Sequence, residues 1–271
     1  MKMLRQFLLL TILFSTVSIT SCSEYAMVVK SDDYYLKFAK AKEYYLDKKY
    51  YQALPLFEEL ISFFKGTNLM QDILYYYSYC HYQTGEYLVA AYHFKNYAST
   101  YPSDPRAEEC LFMSAKCYFD VSPSYMLEQS YTEQCMESIQ LFVNTYPDSK
   151  FVADANKMFD ACRQKMEEKA FYSADLYFRM EKYNAAAVAF DNMQRDYPES
   201  KDAELAMFMQ LKSDYLYAVK SIPGKQPERY RTTITAYQTF TSRYSNSKYL
   251  DEAKTIYEAS LKNLSKIKTN D

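Results

Sequence analysis

The clearest structural signal is "AFYSADLYFRMEKYNAAAVAFDNMQRDYP", residues 170–198. Small and aromatic residues recur in it at helical spacing, and the positions that carry this pattern are Ala174, Tyr177, Tyr183, Ala186, Phe190 and Pro198. Alanine lets two antiparallel helices approach closely, aromatic rings fill the space against the next pair, and proline ends the second helix. The stretch therefore predicts one helical hairpin.

The end of this hairpin recurs along the chain as "TYPSD" (100–104), "TYPDSK" (145–150) and "RYSNSK" (243–248). An apolar residue lies seven positions before each tyrosine of these motifs, as expected for one face of a helix. The pattern resembles the tetratricopeptide repeat, whose hairpins must stack because none buries its apolar face alone. We predict an all-α fold, a right-handed superhelix of about five tetratricopeptide-like helical hairpins plus a C-terminal helix.

The repeats also differ from one another. Residues 34–65 form a first repeat without the final proline, and residues 149–178 contain no glycine or proline and predict one long helix. The segments 120–132 and 219–230 are longer than a minimal turn. They are either tolerated insertions or loops that contact a partner.

The first residues have the features of an export signal. Lys2 and Arg5 precede an apolar run over 7–19, which is shorter than the roughly 20 residues that span a bilayer. "ITSC" at 19–22 resembles the lipobox of bacterial lipoprotein precursors, in which the cysteine is acylated and becomes the new N-terminus. This resemblance implies a covalent lipid on Cys22, and Ser23 favours the outer membrane. An ordinary export signal followed by a chance cysteine is the alternative.

The predicted organisation follows from these two patterns. Residues 1–21 are a lipoprotein signal peptide, 22–33 an acylated linker, and 34–268 the repeat domain. Within that domain we separate N-terminal repeats, 34–105, from C-terminal repeats, 106–268.

The composition excludes several functions. The net charge is −2, with 32 basic and 34 acidic side chains, so nucleic acid is not an expected partner. Three glycines are too few for phosphate-binding loops or a turn-rich β fold. His81 and His93 are predicted on different helices, without a triad or metal set around them, and sequential acids such as Glu108 and Glu109 point apart into solvent. We expect neither an enzyme nor a metal or cofactor other than the lipid.

Five cysteines follow Cys22, an odd number that cannot all pair within an exported chain. They are Cys80, Cys110, Cys117, Cys135 and Cys162. Their spacing does not match a zinc site. They are either small buried hydrophobic residues, or two of them form a disulfide or serve a redox role.

The lipobox, the repeats, the loop "SPSYMLEQSYT" (122–132) and the "YPDSK" endings together resemble the BamD family, in the form found in Bacteroidetes. BamD is the lipoprotein component of the outer-membrane β-barrel assembly machine, and the resemblance covers Cys22 to about Leu261. It implies a non-enzymatic adaptor on the periplasmic face of the outer membrane. Its expected partners are a BamA-like subunit with POTRA domains and a barrel, unfolded outer-membrane proteins, and the membrane through the lipid.

In tetratricopeptide arrays, defined positions of the first helix of each repeat line the concave wall. In repeats one and two these positions carry six aromatic residues, Tyr35, Phe38, Tyr45, Tyr75, Tyr79 and Tyr82. Tyrosine offers apolar area and a hydroxyl at low entropic cost, so we predict a groove for substrate peptides. Alternatively, these residues reflect only the general abundance of tyrosine, or residues 24–33 cover the groove.

The corresponding wall of repeat four is more charged, and its residues include Phe171, Asp175, Phe178 and Arg179. We predict that this surface docks a folded partner. Two other functions remain open: a different periplasmic repeat lipoprotein that coordinates cell division or peptidoglycan synthesis, and a glycan-binding lipoprotein of the SusD type. The first usually has a coiled coil before its repeats and the second is rich in tryptophan, whereas this chain shows no coiled coil and no tryptophan.

Overall fold

A computed structural model of the protein describes residues 24–268. The predicted signal peptide and Cys22 lie outside the described residues. The described chain is helical and contains no strand. Its α-helices, in chain order, are α1 (Tyr34–Leu46), α2 (Tyr50–Phe63), α3 (Leu69–Gln83), α4 (Tyr87–Thr100), α5 (Ala107–Val121), α6 (Ser130–Thr145), α7 (Val152–Arg179), α8 (Tyr183–Asp196), α9 (Ala203–Val219), α10 (Gln226–Arg243) and α11 (Leu250–Lys268), with a 3-10 turn at Pro223–Lys225 before α10. Residues 24–30 are also helical.

Helices α1 to α10 form five successive hairpins, and α11 follows them. This confirms the predicted all-α repeat fold with a C-terminal helix. The uninterrupted stretch predicted as one long helix is α7, of 28 residues. The long segment after α5 leaves residues 122–129 outside helices, whereas the hairpins of repeats one, two and four are closed by three residues each.

Three of the hairpin turns share one backbone conformation. Lys48, Gly85 and Glu181 occupy the same place in the turns of repeats one, two and four, with φ of 60°, 82° and 59°. In each turn, the following residue donates its N–H to a carbonyl five residues earlier at 2.8 to 2.9 Å. This is the left-handed helix ending that favours glycine, although only the second repeat has glycine there.

The recurring Tyr-Pro motif forms a second type of turn. Its tyrosines end α4, α6, α8 and α10 with φ between −124° and −133°, a region that suits a residue before proline. Tyr244 adopts it too, although Ser245 follows it. In three of these motifs a serine lies three residues after the tyrosine, and it stabilises the turn. The hydroxyls of Ser149, Ser200 and Ser247 each accept the backbone N–H two residues later at 3.0 to 3.3 Å.

The described residues divide into two compact units. The first contains residues 24–123 and 129–162, and the second contains 124–128 and 163–268. Fully buried aromatic residues in the cores are Phe57, Phe94, Tyr97 and Phe142 in the first unit and Phe190 and Phe240 in the second. Fully buried alanines such as Ala41, Ala90, Ala186 and Ala253 let the helices approach as predicted.

The cysteines belong to the core of the first unit. Cys80, Cys110 and Cys117 are free and fully buried, and Cys135 and Cys162 are also fully buried. The Sγ of Cys135 donates to the carbonyl of Ala115 at 3.6 Å, where its sister repeats have alanine. Of the interpretations that the sequence left open, the structure therefore supports small buried hydrophobic residues.

Residues 24–30 pack against α1. Glu24 pairs with Lys40 at 2.7 Å, the ring of Tyr25 lies 5.8 Å from that of Tyr44, and Val28 is buried. At 3.6 residues per turn, Lys40 and Tyr44 lie on the other side of α1 from the aromatic residues of the predicted groove. The alternative in which this segment covers the groove therefore does not describe residues 24–30.

Helices of the described part of the chain lack the combination of length and apolar character needed to cross a membrane.

Candidate functional site

Three of the predicted groove residues form one surface on α3. Tyr75, Tyr79 and Tyr82 are spaced by four and three residues, which places them on one face of the helix, and all three are half-buried. Their hydroxyls donate to carboxylates of α5: Tyr75 to Glu109 at 3.2 Å, Tyr79 to the same oxygen of Glu109, and Tyr82 to Asp120 at 3.0 Å. We call these five residues the tyrosine wall.

Neighbouring rings hold the wall in place. The rings of Tyr75 and Tyr79 are 4.9 Å apart, and Tyr79 meets the buried Phe94 at 4.9 Å, edge to face. The ring of Tyr82 packs in the same way on Tyr87 at 5.4 Å. Such contacts contribute about 0.5 to 1.5 kcal/mol each beyond the area they bury, so the rings are fixed before a ligand arrives.

The phenols remain protonated. Burial raises the pKa of Tyr75, Tyr79 and Tyr82 well above its ordinary value, and the carboxylates of Glu109 and Asp120 raise it further. Each hydroxyl therefore gives its proton to a carboxylate, and a phenol oxygen can also accept a hydrogen bond. The wall offers aromatic faces and acceptors, and it contains no activated nucleophile or base.

Arg106, the residue just before α5, balances the charge beside the wall. It pairs with Asp72 of α3 at 2.7 Å and with Asp104 at 2.9 Å, and its guanidinium lies 5.2 Å from the centre of the Tyr75 ring. The hydrogen bond from Arg106 lowers the pKa of Asp104 to about 2. Lys42 of α1 approaches Asp72 at 4.0 Å, so a line of alternating charges links the first helices of three repeats.

Sequence reasoning missed the acidic half of the wall. Glu109 and its neighbour Glu108 do point apart, but the prediction that they face solvent is wrong for both. Glu109 accepts hydrogen bonds from the two tyrosines, and Glu108 accepts one from Ser149 in the turn between α6 and α7. The repeat spacing could have predicted this contact, because it places the start of α5, where Glu109 lies, beside the middle of α3, where the tyrosines lie.

The three aromatic residues predicted in the first repeat differ in position. Tyr45 is half-buried, with its ring 4.9 Å from Tyr76, which in turn meets Tyr75 at 5.5 Å. Phe38 is partly buried against the core of the first unit. Tyr35 is 68% exposed and touches Phe64 edge to face at 5.2 Å. Tyr45 thus extends the wall, while Phe38 belongs largely to the core.

The docking residues predicted in repeat four lie in the second unit. Phe171 and Phe178 are partly buried, with their rings 5.7 Å from Phe190 and 5.5 Å from Tyr183. Asp175 and Arg179 form an ion pair at 2.8 Å, one turn apart on α7. The two aromatic residues therefore serve the core, and of these four side chains only Arg179 is exposed, while Asp175 is half-buried.

An apolar stripe nearby was not predicted. Tyr172 and Leu176 on α7 and Met180 just after it are exposed and follow each other at four-residue spacing. The loop 124–128 packs at its start, where Tyr125 stacks on Tyr172 at 4.9 Å and Lys169 donates to the Leu127 carbonyl at 2.5 Å. The spacing alone predicts a shared face, but exposure follows only from the structure.

The second unit also contains a polar cleft of about 580 Å3 between α8, α9 and α10. Asp214 lies in it, and burial together with the charge of Asp191 raises its pKa to about 7. This cleft could not be predicted from the sequence, because its charged residues come from three helices.

The two histidines lie side by side in the first unit. His81 and His93 stack at 5.5 Å, and His81 Nδ1 hydrogen-bonds Glu86. Burial, with the charge of His81, lowers the pKa of His93 to about 4. Within residues 24–268, no group of three or more histidine, cysteine or acidic side chains is placed to hold a metal ion.

Comparison with known protein families decides the family. The chain matches the family described as "YfiO: Outer membrane lipoprotein" over residues 32–223, which is most of its length. The chain belongs to this family. Members are outer-membrane lipoproteins, and the match includes the tyrosine wall and all helices from α1 to α9.

A match to an individual protein supports the same family. The outer membrane protein assembly factor BamD of Caulobacter vibrioides is 28% identical over 91 residues, which cover 34% of this chain and 30% of that protein. The predicted resemblance to BamD is thereby confirmed at the level of the family. The aligned segment spans less than a third of the relative.

Solved structures of helical repeats are more distant. A tetratricopeptide repeat protein from Parabacteroides merdae is 13% identical, with a TM-score of 0.35, covering 88% of this chain and 80% of that one. The P58(IPK) repeat domain is also 13% identical, with a TM-score of 0.42 and coverage of 90% and 67%. The TPR2AB domain of yeast Sti1 is 12% identical, with a TM-score of 0.37 and coverage of 87% and 98%. Similarity at this level carries no argument about function.

Proposed function

We propose that this YfiO-family lipoprotein is a non-enzymatic scaffold of the machinery that folds and inserts β-barrel proteins into the outer membrane. In this role, acylated Cys22 anchors it to the periplasmic face of that membrane. It binds a BamA-like subunit with POTRA domains and receives the C-terminal segments of unfolded barrel proteins. Membership of an outer-membrane lipoprotein family and the partial match to BamD support this role.

The observation that carries the substrate part of the proposal is the tyrosine wall. An extended chain advances about 3.3 Å per residue and places alternate side chains on one side. Side chains on one side of the strand are therefore about 6.6 Å apart, so a single aromatic side chain of a barrel strand can pack across the rings of Tyr75 and Tyr79, which are 4.9 Å apart. The hydroxyl oxygens, whose protons go to Glu109 and Asp120, accept hydrogen bonds from the strand's backbone N–H groups.

The observation that supports docking of a folded subunit is the ion pair of the exposed Arg179 with the half-buried Asp175 on α7. Charged groups at the rim of an interface fix its register and accelerate association more than they add affinity. We therefore assign this pair to the contact with the BamA-like subunit, with the half-buried Phe171 and Phe178 supporting it from beneath.

The test is purification from solubilised membranes through a C-terminal tag. The proposal predicts that a subunit with POTRA domains and a barrel co-purifies, and that Arg179→Glu lowers its yield. Arg195→Glu is the matched control, because Arg195 forms an equivalent ion pair with Asp191 one turn away on α8. Recovery of cell-division or peptidoglycan enzymes instead, with no barrel subunit, would contradict the proposal and favour the alternative scaffold role.

A further inference from the structure

The helical segment 24–30, "EYAMVVK", is apolar on two sides. Tyr25 and Val28 face α1, and Val28 is only 4% exposed. On the outward side, Ala26 is exposed, Met27 is 64% exposed and Val29 is 41% exposed. Helices that are apolar all round normally have both sides covered, so the outward side lacks a partner within the first unit.

The segment is fixed to the body of the protein. The 2.7 Å ion pair between Glu24 and Lys40 holds its start, and burial of Val28 holds its middle. Beyond it, the carboxylate of Asp33 accepts the N–H groups of Tyr35 and Leu36 at 3.0 and 2.9 Å and caps α1. The outward residues therefore have a defined direction relative to α1.

The chain length to the predicted anchor is very short. Cys22 precedes Glu24 by two residues, and two residues reach at most about 7 Å. In the proposed function, acyl chains on Cys22 enter the bilayer within this distance of the segment. An exposed apolar surface so close to the lipid gains roughly 25 cal/mol for each Å2 that leaves water, and the exposed Lys30 at its end suits anionic headgroups.

We propose that the outward side of segment 24–30, formed by Ala26, Met27 and Val29, lies in the interface of the bilayer. This inference rests on the acylation of Cys22 in the proposed function. In this arrangement segment 24–30 holds the repeat domain in a fixed orientation at the membrane and does not act as a flexible linker to the lipid. The aromatic residues on the other side of α1, among them Tyr35 and Tyr45, then face away from the membrane, where a chain arriving through the periplasm can reach them.

The absence of tryptophan from the sequence allows a clean test. Full-length acylated protein carrying Met27→Trp has a single tryptophan and is reconstituted into phosphatidylcholine–phosphatidylglycerol vesicles with brominated acyl chains, which quench tryptophan on contact. The matched control is Met126→Trp, since Met126 is 73% exposed in the second unit. We expect a blue-shifted emission and strong quenching for the first variant, and neither for the control.

Two results would overturn the inference, and they are distinguishable. If the protein floats with the vesicles but the tryptophan at position 27 is quenched no more than the control, the anchor is a flexible tether and the proposed function survives. If the wild-type protein from membranes fails to float, acylation of Cys22 is wrong, and both the anchor in the proposed function and this inference fall. A Cys22→Ser variant provides the unanchored reference for both measurements.

Discussion

Replacing Tyr79 with phenylalanine and Glu109 with glutamine, singly and together, tests whether the tyrosine wall is a coupled unit. The ring at position 79 keeps its edge-to-face contact with Phe94 at 4.9 Å, so Tyr79→Phe removes little besides one hydrogen bond to a carboxylate. Hydrogen bonds to charged groups contribute about 1.5 to 3 kcal/mol. Because the wall is half-buried, we take the lower end, about 1.5 kcal/mol.

Glu109→Gln keeps the side-chain size and removes the negative charge of the group to which both Tyr75 and Tyr79 donate hydrogen bonds. We expect it to cost about 1 to 2 kcal/mol, since two charge-assisted bonds become ordinary ones. In the double variant the Tyr79 bond can be lost only once, so the combined loss falls short of the sum by about 1 kcal/mol.

Urea unfolding gives the free energies from the midpoint at unchanged slope, and hydrogen exchange of the α3 amides shows that the first unit is affected. Tyr51→Phe is the control, because Tyr51 is exposed, and its effect should stay within about 0.5 kcal/mol. Additivity of the two single changes to within about 0.3 kcal/mol would refute the coupling.

Three further predictions concern other parts of the fold. The pKa of Asp214 is raised from 3.8 to about 7, which means that the folded state disfavours the ionised carboxylate. The resulting loss of folding stability is absent below pH 3.8 and complete above about pH 7. Asp214→Asn should therefore raise stability by up to about 4 kcal/mol at pH 8 in urea unfolding and leave it unchanged near pH 3.5. Gly85→Ala should cost about 1 kcal/mol because Gly85 has φ of 82°, and Lys48→Gly, with φ of 60°, should have the opposite sign. Burial raises the pKa of the Cys80 and Cys117 thiols to about 12, so at pH 8 a disulfide reagent should label them only after unfolding.

The hairpins could be predicted from sequence because their signals are local. Helical spacing of alanine and phenylalanine and the Tyr-Pro stop act within one repeat, and the structure follows them even at Tyr244, where the proline is missing. The turn at Lys48 shows the limit of such rules. Its backbone is left-handed, but the residue is not glycine, so the sequence does not predict this conformation.

The candidate site was predictable in part. The positions of Tyr75, Tyr79 and Tyr82 on one helix face follow from their spacing. Their partner Glu109 lies 30 residues or more along the chain and belongs to another repeat, and a sequential pair of acids gives no sign that one of them will face a phenol. Likewise, the spacing that selected Phe171 and Phe178 cannot tell a wall residue from one that its own hairpin covers.

The most direct measurement is the affinity of the purified protein for a synthetic peptide from the aromatic C-terminal strand of a barrel protein. Replacing Tyr75 and Tyr79 with alanine removes two ring contacts of about 1 kcal/mol each, so binding should weaken by tenfold or more. Tyr92→Ala, an exposed tyrosine on α4, should leave the affinity unchanged. Equal affinity of the double variant and the wild type, with helical content and unfolding midpoint preserved, would show that the wall does not receive the substrate.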